Sequence, residues 1–217
     1  MQKINIKKLL AHKIFRILKW AFLILLALYF ILVIFRLVES FKLDRTNAQV
    51  EKIHSTKITI DDVMGKNIPP DPGEESDKTI EGVDANKNGI RDDVELAIFE
   101  KYPDSAKTRA ALLQYALVLQ MELTQPFVNE VIATEVVRED NRSHSCLANN
   151  LVPRKTPESF RSNIEMKKID EYISFVEDLQ FNTEERIESR NSLLKKLRSY
   201  SNLEKDECDI DYSQLDN

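Results

Sequence analysis

The run Asp84-Ala85-Asn86-Lys87-Asn88-Gly89-Ile90-Arg91-Asp92-Asp93-Val94-Glu95 is where oxygen-bearing side chains recur at a spacing suited to a hard cation. Calcium takes about six to eight oxygens, and a tight loop can offer them from alternate residues, then a backbone carbonyl, then a carboxylate on the following helix. Asp84, Asn86 and Asn88 are expected to give side-chain oxygens, and Gly89 to permit the sharp turn. Ile90 is expected to give its carbonyl, Asp92 to act directly or through water, and Glu95 to chelate, with Asp93 as a substitute for either acid. A metal-free reading uses fewer of these residues. Asn88-Gly89 is a common turn, and Asp92 with Glu95 three residues on makes a capping box. The two readings part at Asp84 and Asn86, which a bare turn and cap do not require. The calcium reading predicts a structural ion bound at roughly 10⁻⁴ to 10⁻³ M, as at extracellular single sites.

The loop resembles that of the EF-hand, and still more the shortened loops of the thrombospondin type 3 and dockerin families, with their D-x-[DN]-x-[DN]-G pattern. The resemblance implies calcium binding outside the cytosol. It covers twelve residues; the apolar residue stands at Ile90, where Arg91 would carry it in the family pattern, and the preceding SDKTIEGV does not read as an incoming helix. A single loop rather than a paired regulatory hand is expected. The tract IEGVDANKNGIRDDVE is also similar to a segment of exported bacterial proteins without an assigned activity, which implies an anchored architecture.

Other reactive side chains are few. Cys146 and Cys208 are the only cysteines, and on an oxidising side of a membrane a disulfide between them is expected, stapling the C-terminal tail. His144 stands two residues from Cys146, but a pair so close in sequence is no catalytic signature. His54 falls in a segment read as a spacer. Asn141-Arg142-Ser143 has the form of a glycosylation acceptor. No nucleophile with a base, zinc pattern or phosphate loop stands out, and four glycines leave little scope for the last. Glu122, Glu130 and Glu135 carry the alternative reading, an envelope hydrolase using helix carboxylates, although their spacing is also that of a solvent face.

These residues must be positioned by helices and by a membrane anchor. Lys3, Lys7, Lys8, Lys13, Arg16 and Lys19 precede any acidic residue, so 25 cations face 36 anions in the remainder of the 217-residue chain. The acidic remainder argues against general nucleic-acid binding, which needs a positive face for the phosphates. From Trp20 to Phe35 runs an unbroken apolar stretch, and Ile17 to Val38 supplies the roughly 20 residues a transmembrane helix needs if Lys19 and Arg36 snorkel. The positive flank predicts a cytoplasmic N-terminus. The expected location is the plasma (inner) membrane, single-pass, with the distal domain periplasmic or extracellular. A cleaved signal peptide ending near Val38-Glu39-Ser40 competes, but its apolar region is ordinarily only about 7 to 15 residues long.

The fold class expected is all-α: a basic tail over 1–19, a transmembrane helix over 17–38, a linker over 41–80, and a helical domain over 81–217 opened by the calcium loop at 84–95. Pro69, Pro70 and Pro72 mark the linker, in which Lys57 to Ile60 alternates as a short strand would. A first helix runs from Val94 to near Pro103. A second, capped by Ser105, is apolar on nearly every side and is expected at the centre of the core, Gln114 and Gln120 notwithstanding. A third begins at Pro126, and a fourth carries Ile169, Tyr172, Ile173, Val176 and Leu179 on one face. A last opens at Asn182 with Ile187, Leu194 and Leu197 as its buried stripe. The function expected is that of a non-enzymatic, membrane-anchored calcium-binding protein with a structural role or with other envelope proteins as partners.

Overall fold

The computed structural model describes residues 6–156, 158–198 and 206–215, so Lys3 lies outside the described residues. The chain divides into two compact units, residues 1–48 and 49–217. The first is helical: α1 (Ile6–Ser55) begins there and runs on into the second. Neither glycine nor proline occurs before Gly65, so nothing local stops the helix after the apolar stretch. Among the described residues α1 is the one helix long and apolar enough to cross a membrane. Phe22, Leu25, Phe30, Leu32 and Phe35 are exposed along it.

The second unit is an all-helical bundle, with no strand among the described residues. After the last turns of α1 come α2 (Ile60–Val63), a 3-10 turn (Gly73–Asp77), α3 (Asp92–Lys101), α4 (Ala106–Thr124), α5 (Glu130–Leu151), α6 (Asn163–Gln180) and α7 (Glu184–Leu194). A second 3-10 turn lies at Tyr212–Gln214. Ser105 caps α4 by accepting from the Thr108 amide. As the sequence predicted, α4 is the central core helix: nearly every residue from Ala106 to Leu123 is buried, and α2, α3, α5, α6 and α7 all pack on it. The face of α6 predicted from its period is the one turned to the core, with Ile169 and Val176 buried and Tyr172, Ile173 and Leu179 packed behind them.

The polar residues of α4 serve extended chain that has no ladder of its own. Gln114 donates to the Glu207 carbonyl at 2.9 Å and accepts from the Asp209 amide at 3.0 Å. Gln120 donates to the Glu81 carbonyl at 2.7 Å, and Arg109 donates to the carbonyls of Val63 and Tyr102 at 3.0 and 2.9 Å. Each contact meets a backbone group that burial would otherwise leave unpaired.

Several expectations are corrected. Residues 41–80 are not a spacer: 41–55 continue α1, and Ile53, Ile58, Val63 and Ser76 are buried. Lys57 to Ile60 forms no strand; Ile58 is buried, and Thr59 caps α2 in a capping box with Asp62. Pro126 does not open the third helix. The residue before it, Gln125, is held extended as a preceding residue should be, and α5 starts only after Asn129, which accepts from Ile132. Thr183 rather than Asn182 caps α7. Asn182 instead donates to Asp77 at 3.0 Å. The buried residues of α7 are Arg186 and Leu193, whereas Ile187 and Leu194 are exposed, because the Arg186 guanidinium is taken inward by the carbonyls of Ser76, Thr79 and Ile80 and by Asp77.

The disulfide joins Cys146 on α5 to Cys208, as expected. Around it the tail is seated by Arg142, which donates to Asp209 at 2.6 Å, by the Ile58 amide on the same carboxylate at 3.2 Å, and by the burial of Ile210 and Leu215. Closing a loop of 62 residues contributes about 4 kcal/mol in the chain-entropy model. Replacing both cysteines by serine is therefore expected to lower Tm by on the order of 10 °C, read as a shift between melting curves of the two forms of the full chain in detergent.

Candidate metal centre

Residues 83–95 form one hydrogen-bonded unit in front of α3. The Asp84 carboxylate accepts from the amides of Asn88 at 3.2 Å and Gly89 at 3.0 Å. Asn86 Oδ1 accepts from Asn88 at 3.3 Å, and Asn88 Oδ1 accepts from Ile90 at 2.9 Å. These bonds curl the backbone so that alternate side chains turn inward. Gly89 has φ +87° and Lys87 φ +60°, the two left-handed residues that close the curl.

The inward side chains converge on one atom. Asn86 Nδ2 and Asn88 Nδ2 each donate to Glu95 Oε2 at 3.0 Å. Each asparagine oxygen, already accepting one backbone bond, keeps a second lone pair. Glu95 is buried, and that burial pushes its carboxyl up to about 7, against the two asparagine hydrogen bonds. Asp62 and Asp92 raise it further. Asp92, at the first position of α3, accepts from the Ala85 amide at 3.1 Å, yet its own burial holds its carboxyl above the usual range. A proton, or a divalent cation if one bound there, would offset both costs. The cation would supply charge neutralisation and cross-linking of the loop rather than reaction chemistry.

The side chains of Asn86, Asn88 and Glu95 are thus brought together, while Asp84 is engaged by the amides of Asn88 and Gly89 and Asp92 by that of Ala85. Ile90 sends its side chain into the core, where it is fully buried. Asp93 is not a substitute ligand: Arg91 grips it through two bonds of 2.6 and 2.9 Å. Arg91, fully buried, also donates to the Leu179 carbonyl at 2.6 Å and the Gln180 carbonyl at 3.3 Å, joining the loop to the C-terminus of α6. Neither contact was readable from the sequence, where Arg91 stood only as a polar residue in a polar loop. The capping box of the metal-free reading does not form, because Arg91 is the residue before α3 and makes no side-chain cap. Among the described residues no three histidine, cysteine or acidic side chains are gathered as a metal-binding group; the loop gathers two carboxamides about one carboxylate instead.

The other acidic residues separate. Glu130 is exposed at the start of α5, and Glu135 accepts from Arg138 and lies 3.2 Å from His54 Nε2. Glu122 is not on a solvent face: it is buried on α4, 2.9 Å from Arg190 of α7. Burial, then Asp140, pushes its carboxyl up to about 8. The sequence placed it outward because α4 is apolar on so many sides that no stripe marks its solvent face. Asn141-Arg142-Ser143 lies inside α5 with Arg142 and Ser143 buried.

No protein-family model, no curated protein and no solved structure matches this chain.

Gly89 gives a direct test of the loop. A Cβ there would stand 2.8 Å from Leu117 Cδ1 at a φ that L-residues rarely adopt. Gly89→Ala is expected to lower stability by about 1–3 kcal/mol, whereas Lys87→Gly, which relieves the same backbone region, is expected to leave Tm unchanged or raised. Chemical denaturation of both variants beside the parent reads the two signs.

Proposed function

We propose that this chain is a membrane-anchored, extracytoplasmic calcium-binding protein with a structural or protein-interaction role. The apolar part of α1 serves as a single span. The cationic residues before it keep the N-terminus in the cytoplasm, so the helical domain is held outside with envelope proteins as its partners. The disulfide agrees with an oxidising compartment.

The observation that carries the calcium reading is the meeting of Asn86 and Asn88 on Glu95, in a loop that Asp84 curls. A turn followed by a helix needs none of this inward convergence. One loop of this kind, tied by Ile90 and Arg91 into a packed core, suits an ion that orders the start of the bundle rather than one that switches it.

Calorimetric titration of the full chain in detergent tests the ion. Millimolar calcium is expected to give binding heat with Kd on the order of 10⁻⁴ to 10⁻³ M and a higher Tm. Both should vanish in Asp84→Ala, which keeps every helix-packing residue. A parent chain with no heat and no change in Tm would remove the ion. Sidedness is tested separately by fusing reporter enzymes to the C-terminus: a periplasm-active phosphatase is expected to work there, and activity of a cytosol-restricted reporter would reverse the topology.

A further inference from the structure

The bundle interior holds a second polar assembly, away from the loop. Tyr115 and Glu122 come from α4, Asp140 and His144 from α5, Glu177 from α6 and Arg190 from α7. The guanidinium is shared: Arg190 Nε lies 2.9 Å from Glu122 Oε2, and Arg190 Nη2 donates to Glu177 at 3.0 Å. The His144 ring lies 4.7 Å from that of Tyr115, centroid to centroid, and His144 Nδ1 lies 3.9 Å from Asp140 Oδ2. Tyr115 is fully buried and Glu122 nearly so.

This assembly is where the described fold leaves polar groups unmet. Among the described residues seven buried side-chain atoms lack a hydrogen-bond partner, and five belong to it: Tyr115 Oη, Glu122 Oε2, Asp140 Oδ1, His144 Nε2 and Arg190 Nε. The ion pair of Glu122 with Arg190 is close but not aligned as a hydrogen bond, since both atoms stand among the five. Among the described residues three carboxyl groups face one guanidinium, with His144 as a further basic group at the cluster. Fully ionised, the cluster would hold excess negative charge around a carboxyl that water does not reach, since Glu122 is shielded while Glu177, Arg190 and His144 are partly open to solvent. A proton supplies what is missing: it removes one charge and turns an acceptor into a donor for a neighbouring orphaned oxygen or nitrogen.

We propose that this cluster is a proton-binding site that couples external acidity to the docking of α7 on the bundle. Glu122 on α4 is its centre, faced by Tyr115 from its own helix, by Asp140 and His144 from α5, by Glu177 from α6 and by Arg190 from α7. α7 is the element that yields. It is the shortest of the helices around the cluster, most of its residues are not buried, and Arg190 reaches from it over Glu122. When Glu122 ionises, swinging α7 aside lets water in at the least loss of packing.

The direction in pH follows from burial. Glu122 is pushed up to about 8 and Asp140 is raised as well, both chiefly by desolvation. A carboxyl raised in the folded state binds more protons there than in the unfolded chain. Its contribution is present below the usual carboxylate range and is lost as pH climbs through about 8. Glu95 leans the same way, so the cluster must be isolated by difference.

Melting of the full chain in detergent between weakly acid and weakly alkaline pH tests the proposal. The parent is expected to lose Tm as pH rises, and Glu122→Gln, which imitates the protonated acid, to lose most of the Glu122 part of that slope. Identical slopes in parent and variant overturn it. Hydrogen exchange of the unaltered chain, corrected for intrinsic rates, keeps the test open if the variant does not fold. Protection of Glu184–Leu194 should fall more steeply with pH than protection of α4; equal loss in both helices, or none in α7, overturns it too.

Discussion

A helix buried on every side imposes a condition on whatever surrounds it: no polar group it meets can be left to water. α4 is that helix, and the rest of the distal unit is arranged to satisfy the condition. Its apolar positions collect five other helices, while Gln114 and Gln120 reach out to carbonyls or amides of non-helical chain and Arg109 to the ends of α2 and α3. The segment before the loop, the connection after α3 and the C-terminal tail are therefore parts of the core. They have no ladder of their own, and they are fixed by side chains of the central helix.

Buried arginines extend the same logic outward. Arg186 gathers the carbonyls of residues 76–80 to α7, and Arg91 gathers the end of α6 to the loop before α3. A guanidinium offers five donors in a fixed fork, so one side chain can close several carbonyls at once. Asp77 and Asp93 compensate their charges, and the Arg186 guanidinium holds the Asp77 carboxyl below its ordinary value. The loop is thereby held at two successive residues: Ile90 inserts into the core, and Arg91 ties it to α6. Glu122 is the counterexample, a buried acid whose single cation is shared with Glu177 and beside which Asp140 Oδ1 and Tyr115 Oη lack hydrogen-bond partners.

Much of this could be read from residue types and spacing. The apolar run in α1, the central position of α4, the inward face of α6 and the pairing of the two cysteines depend on patterns that repeat along the chain or on a residue with only one possible mate. The curl of the loop was legible for a similar reason, since the side chains and amides that close it lie within a few consecutive residues. Helix starts were less so. Pro126 competed with Asn129, whose side chain can cap as proline's cannot, and Asn182 competed with Thr183, which caps α7 while Asn182 is engaged by Asp77.

The sequence by itself determined what short-range chemistry and periodicity can encode: an anchor-length apolar helix, helices of defined facing, a polar turn that its own side chains curl. Only the tertiary structure decided which polar residues go inside. Arg91, Arg186, Gln114, Gln120 and Glu122 have partners some 40 to 110 residues away, apart from the acids beside them, and nothing in their neighbours' identities announces it. A charged residue in a polar stretch ordinarily faces water. It turns inward only when the folded backbone happens to present carbonyls or a counter-charge at the right distance, and that meeting exists only after the helices have packed.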